Sequence, residues 1–125
     1  MHACNTDAMY SSAVLDHASH PRNMGDLPDA TARVEVTNPV CGDELRLAVR
    51  VEDSRITVAR FRARGCTPAI ACSSLLTELI IGKTITQIRE ITAEGISTAL
   101  GGLPPATQHA SHLAEDALDV LLDQL

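Results

Sequence analysis

RITVARFRARGCTPAIACSSLLTELII, residues 55–81, changes its hydrophobic period in mid-course, and that change decides the fold. Its first ten residues alternate. Ile56 and Val58 share one parity; Ala59, Phe61 and Ala63 share the other, with Arg60, Arg62 and Arg64 between and after them. Period two marks a strand with one buried and one wet face, and a flip of parity marks a β-bulge, placed here near Val58. From Thr67 the apolar residues recur instead at Ala69, Cys72, Leu75, Leu76, Leu79 and Ile80. That is the spacing of one helix face, and Gly82 closes it. A strand therefore runs directly into a helix, with only Gly65-Cys66 at the junction.

Upstream, Ala32, Val34 and Val36 alternate with Arg33, Glu35 and Thr37, and Leu45, Leu47, Val49 and Val51 alternate with Arg46, Ala48 and Arg50. Asp53-Ser54 turns the chain into the quoted strand. Such short connections predict an antiparallel meander with one wet face. Residues 1–6 read as a flexible tail and residues 7–19 as a first helix, with Tyr10, Ala13, Val14 and His17 on one side. His20-Pro21-Arg22-Asn23 ends it, because the residue before proline avoids the helical region. Downstream, shorter helical segments fall around Thr86 to Ile91 and Ala93 to Leu100. Gly101-Gly102 breaks the second, and Leu103-Pro104-Pro105 makes a stiff connector. A last helix starts near Ala110, with Leu113, Ala114, Ala117, Leu118 and Leu121 inward. Strands first and helices afterwards predict an α+β fold: a three-stranded antiparallel sheet with helices packed on one face, an N-terminal helix and a long C-terminal helix. The length of 125 residues suits a single domain, 1–125.

Hydrophobic residues make up 45% of the chain and charged residues 21%, the balance of a globular domain. With one Phe, one Tyr and no Trp, the core has to be aliphatic. No apolar run approaches the roughly 20 residues of a membrane span. The stretch MHACNTDAMY has neither a basic region nor an apolar segment, so a signal peptide is not expected and the cytoplasm is. There thiols stay reduced, and Cys4, Cys41, Cys66 and Cys72 read as free thiols or metal ligands rather than disulfides. A net charge of −6 argues against nucleic-acid binding. The charge is uneven: seven of the ten basic residues lie between Arg33 and Arg64, while the last helix carries Glu115, Asp116, Asp119 and Asp123. Two solvated faces or a charged partner both fit this distribution.

Candidate chemistry sits at the strand ends. In Cys41-Gly42-Asp43 a thiol and a carboxylate two residues apart can turn toward one point, because Gly42 lets the backbone bend. Cys66 precedes a helix, where the positive end of the dipole favours the thiolate that binds metal or attacks sulfur. The alternative is a small residue in a capping position. Cys41 begins the second strand and Cys66 ends the third, and in an antiparallel pair those ends are neighbours. Cys72 lies on the apolar stripe and reads as core. Cys4, in the tail, reads as incidental. His109 precedes the last helix. His112 shares its polar face with Glu115, Asp116 and Asp119. His17 and His20 match no zinc spacing with a cysteine. No phosphate-binding loop, no G-x-S-x-G motif and no C-x-x-C occurs.

Taken in order, Tyr10-Ser11, Asp16-His17, Pro21-Arg22-Asn23, Cys41-Gly42-Asp43, Ala59-Arg60-Phe61, Gly65-Cys66, Ala69-Ile70-Ala71, Ser73-Ser74-Leu75, Gly82-Lys83, Leu103-Pro104-Pro105, His109 and Leu113-Ala114-Glu115-Asp116-Ala117 resemble the iron–sulfur cluster assembly scaffolds of the IscU and NifU N-terminal type. The resemblance implies no enzyme. It implies a scaffold that takes sulfur from a cysteine desulfurase, binds iron or a [2Fe–2S] cluster, with Zn2+ as an alternative occupant, and passes the cluster to client or carrier proteins. It implies Cys41, Asp43, Cys66 and His109 as ligands. The family's third cysteine, directly after the histidine, is replaced by Ala110. Cys72 is then a possible additional ligand, although the helical stripe points it at the core. The family's chaperone-recognition stretch, Leu-Pro-Pro-Val-Lys, is matched as Leu103-Pro104-Pro105-Ala106-Thr107, and the missing lysine leaves an Hsp70-type chaperone open as a partner. Loss of the third thiol also leaves a second reading: a zinc-binding adaptor or regulator of the desulfurase that builds no clusters.

Overall fold

The structure is a computed structural model that describes residues 10–39 and 42–125. Helix α1 (Ser12–Ser19) begins where Ser11, in extended conformation, accepts a hydrogen bond from the Val14 N–H through Oγ at 3.1 Å. That cap shortens the helix expected over 7–19: Tyr10 is buried yet precedes the helix, and residues 7–9, like the tail 1–6, lie outside the described residues. The Ser11 hydroxyl also donates to the Leu100 carbonyl, joining the start of the fold to a segment far downstream.

Strands β1 (Ala32–Asn38), β2 (Asp43–Glu52) and β3 (Arg55–Arg64) form one antiparallel sheet in that order. Asp53 and Ser54 both have positive φ, 54° and 62°, as a tight two-residue hairpin requires. Arg50 pairs with Val58 but Val51 pairs with Ile56, so Thr57 is the extra residue of a bulge, beside Val58 as the parity flip predicts. The bulge places Ile56, Ala59 and Phe61 together in the core, at 0%, 0% and 1% exposure.

The chain continues through α2 (Thr67–Ile80), α3 (Ile85–Ile88), α4 (Ala93–Ala99), a 3-10 turn (Pro105–Thr107) and α5 (His109–Gln124). Helix α2 packs on β3, α5 packs on β1 and β2, and the two helices also touch each other. The expected architecture, helices on one side of a three-stranded antiparallel sheet, is the observed one. The core between the layers is aliphatic apart from Phe61 and Tyr10, with Leu45, Leu47, Leu76, Ile80, Leu118 and Leu121 among its largest members.

Helix α2 is buried on more sides than its apolar stripe implies, because α1 covers the flank that the sheet and α5 leave open. Ser73, Ser74 and Thr77 are buried, while Leu75 and Leu79 are only half-buried. Each hydroxyl is satisfied. Ser73 Oγ donates to the Ala69 carbonyl at 2.8 Å, and Thr77 Oγ1 donates to the Ser74 carbonyl at 2.7 Å. Ser74 Oγ accepts from the Arg22 N–H at 2.8 Å and meets His17 Nδ1 at 2.8 Å. Among the described residues no buried side-chain polar atom lacks a partner.

Candidate metal centre

Three side chains from three elements meet at one end of the sheet. Asp43 opens β2 and is 3% exposed. The pairing of Glu44 with Arg64 sets Asp43 beside the junction that follows β3. There Gly65 has φ 147°, and a Cβ built on it would run into Asp43 Oδ1 and stand 2.7 Å from its Cγ. Glycine is thus required twice, for the backbone angle and for the approach of the carboxylate. Cys66 is the N-cap residue of α2, and its side chain makes no capping bond. The first turn of α2 carries no acidic residue, so the positive end of the helix dipole acts on the sulfur from one side, while the Asp43 carboxylate faces it from the other. His109 is the first residue of α5 rather than the residue before it, held there by the Leu103-Pro104-Pro105 connector and the 3-10 turn.

His109 Nε2 stands 3.2 Å from Asp43 Oδ2. Cys66 Sγ is 3.8 Å from the same oxygen and 4.0 Å from His109 Nε2. All three ligand atoms lie within 4.8 Å of one another. An ion bound at about 2.1 Å to nitrogen and oxygen and about 2.3 Å to sulfur spaces tetrahedral ligand atoms roughly 3.4–3.6 Å apart. The observed triangle needs to change by only a few tenths of an ångström to close on such an ion. A thiolate, an imidazole and a carboxylate together suit zinc or iron. The carboxylate is at the buried side and the histidine side chain, 25% exposed, at the solvent side. A cavity of about 240 Å3, lined by His109, His112, Asp116 and Asn38 among others, opens beside it.

Cys41 lies outside the described residues, as does Cys4. Cys72 is fully buried and not part of the three-residue group. Burial, with the nearby Cys66 acting in the same direction, pushes its thiol up to about 12, so it stays protonated at neutral pH and offers no thiolate. Its place is the core, as the helical stripe implies. His112 is exposed on the acidic side of α5 and outside the group. His17 is no ligand either: it is 8% exposed and braces α1 against α2. Gly65 was visible in the sequence only as the neighbour of Cys66; its contact with Asp43 emerges from strand pairing.

Fold and site define an α+β domain that brings a thiol, an imidazole and a carboxylate together at one end of a three-stranded antiparallel sheet. The chain belongs to the family described as NifU-like N terminal domain, whose pattern matches residues 9–124. The family named from the motif series is thereby borne out. The chain is 47% identical over 110 residues to an "Iron-sulfur cluster assembly scaffold protein IscU 1" of Archaeoglobus fulgidus, covering 88% of this chain and 72% of that protein. It is 41% identical over 115 residues to the IscU scaffold protein of Aquifex aeolicus, covering 90% and 73%. Among solved structures, a SUF-system protein of Fervidobacterium islandicum superposes with a TM-score of 0.76 at 22% identity, over 94% of this chain and 98% of that one. The NifU-like N-terminal protein of Brucella abortus gives 0.65 at 21%, over 94% and 83%. At such identities these two likenesses are of fold alone.

Proposed function

We propose that this protein is a scaffold for iron–sulfur cluster assembly. It holds iron or a [2Fe–2S] cluster as cargo on Cys41, Asp43, Cys66 and His109 and hands it to client proteins. The observation that carries this reading is the meeting of Asp43, Cys66 and His109 within 4.8 Å in a chain of this family. The names of its relatives, scaffold proteins of cluster assembly, support it.

The residues present divide the work by position. Cys66, at the start of α2, supplies a thiolate under the helix dipole. Asp43 supplies a carboxylate from the buried side, and its contact with His109 keeps both donors aimed at one point. The solvent-side position of His109 lets cargo arrive and leave without opening the core. The ligand set is an altered one. Ala110 stands where the family has a third cysteine; it is 1% exposed and brings no donor to the rim. Cys72, buried and protonated, does not replace it. Fewer thiolates make a more labile site, which suits a cargo that is passed on. A cysteine desulfurase would supply the sulfur, and the protein itself turns over no small molecule. The Leu103-Pro104-Pro105 segment would be the place for an Hsp70-type chaperone, and the cytoplasm the place of work.

Anaerobic reconstitution with ferrous iron and sulfide tests the proposal. Charge-transfer absorption in the visible region is expected for the native protein, with loss in Cys66→Ala and weakening in His109→Ala. Folded protein without such bands, or one zinc per chain left unchanged by iron and sulfide, would overturn it. The zinc result would favour the adaptor reading.

A further inference from the structure

The face of the sheet turned away from α2 and α5 holds a cavity of about 670 Å3 bounded by the loop that includes Gly25 to Pro28. Four arginines line it: Arg33 on β1, Arg46 on β2, Arg60 and Arg62 on β3. Strand register arranges them in two rows, Arg33–Ala48–Arg60 and Glu35–Arg46–Arg62. Asp26 and Glu35 share the cavity, and Glu44 beside it reaches Arg46 Nε at 3.8 Å, so four positive groups face three negative ones and leave an excess of one positive charge. This occurs in a chain whose net charge is −6.

Arg46 stands opposite Arg62 on β3 and opposite Glu35 on β1, so the like-charge contact on one side is offset by an ion pair on the other. Each guanidinium is braced rather than saturated. Arg62 Nε donates to Asp26 Oδ1 at 2.8 Å and Arg46 Nε to Glu35 Oε2 at 3.1 Å. Arg33 Nη2 donates to the carbonyls of Leu27 and Pro28, and Arg60 Nη1 to the Ala59 carbonyl and to Asn23 Oδ1. A guanidinium has about five donors, so several on each remain for a ligand. Side chains held this way lose little freedom on binding. Ala48 at the centre of one row leaves room for that ligand to lie down.

Spacing selects the ligand. Rows two residues apart along a strand repeat at about 6.5–7 Å, the same repeat as alternate side chains of an extended peptide. A compact polyphosphate concentrates its charge at one point, does not match two rows, and meets Asp26 and Glu35 at the rim. We propose that this face docks an extended acidic segment of a protein partner, with carboxylates at every second residue. The inference goes beyond the scaffold reading and does not depend on what the metal centre carries.

A fluorescein-labelled seven-residue peptide of alternating Glu and Ser is the probe, with anisotropy as the readout and amide shifts of β2 and β3 as the map. Arg46→Gln/Arg62→Gln is expected to weaken binding at low salt by about tenfold. Both side chains are more than half exposed, so the fold should survive, and Arg60→Gln serves as a second variant. Lys83→Gln/Arg89→Gln, the same charge change elsewhere, is expected to leave binding nearly unaltered. A peptide with its glutamates in one block should bind more weakly than the alternating one. Equal loss in both double variants, absence of binding, displacement by inorganic pyrophosphate at matched ionic strength, or salt-sensitive self-association through the acidic side of α5 would each overturn the proposal.

Discussion

A methyl group at position 65 would contend with the Asp43 carboxylate for the same space, in a backbone conformation with φ 147° that side-chain-bearing residues rarely adopt. Gly65→Ala is therefore expected to cost about 1–3 kcal/mol in stability through strain. It should also move Asp43 away from Cys66 and His109 and weaken zinc binding in a chelator-competition titration. Zinc affinity equal to that of the native protein would show that Asp43 is not held by this contact. At this scale the sequence was legible in part. Cys66 could be placed at a helix start and Cys72 on a core stripe, because both follow from local period. The role of Gly65 could not, because its partner lies in another strand.

Helices α1 and α2 are joined by a polar clasp rather than by apolar packing alone. His17 Nδ1 meets Ser74 Oγ, and His17 Nε2 lies 3.4 Å from Glu78. Burial lowers the His17 pKa below 6.5; the Arg22 charge acts the same way, and both outweigh the opposing pull of Glu78 and Asp16. The folded state thus takes up the His17 proton less readily than the unfolded chain, which takes it up near 6.5. The stabilisation is present above that pH and is lost as pH falls through and below it. Urea midpoints should drop between pH 7 and 5, and drop less in His17→Asn, with the NMR titration of His17 centred below 6.5. A His17 midpoint above that value would contradict this account. The sequence extended α1 too far upstream because Tyr10 is buried, and burial alone does not distinguish a helical residue from one that precedes a cap. It also missed the burial of Ser73, Ser74 and Thr77, since polar residues break an apolar stripe unless a second element covers them.

The whole molecule rests on a single aliphatic core in which Phe61 is the largest fully buried side chain. Phe61 stands across from Leu47, and its backbone bonds Asn23 and Gly25 of the loop along the outer edge of β3. Phe61→Ala is expected to cost about 3–5 kcal/mol in urea unfolding, a large part of the stability of such a domain. A loss under about 1 kcal/mol would mean that the core collapses to fill the space. The sequence by itself determined the order and type of the elements, the hairpin at Asp53-Ser54, the bulge near Val58 and the aliphatic core. All of these follow from side-chain period and backbone preference within a few residues. Only the tertiary structure decided that Asp43 and His109, 66 residues apart, come to 3.2 Å, and that four arginines on three strands line one cavity. Those distances come from strand register and from the seating of α5 on β1 and β2, set by the fit of whole faces and not by any local window of sequence.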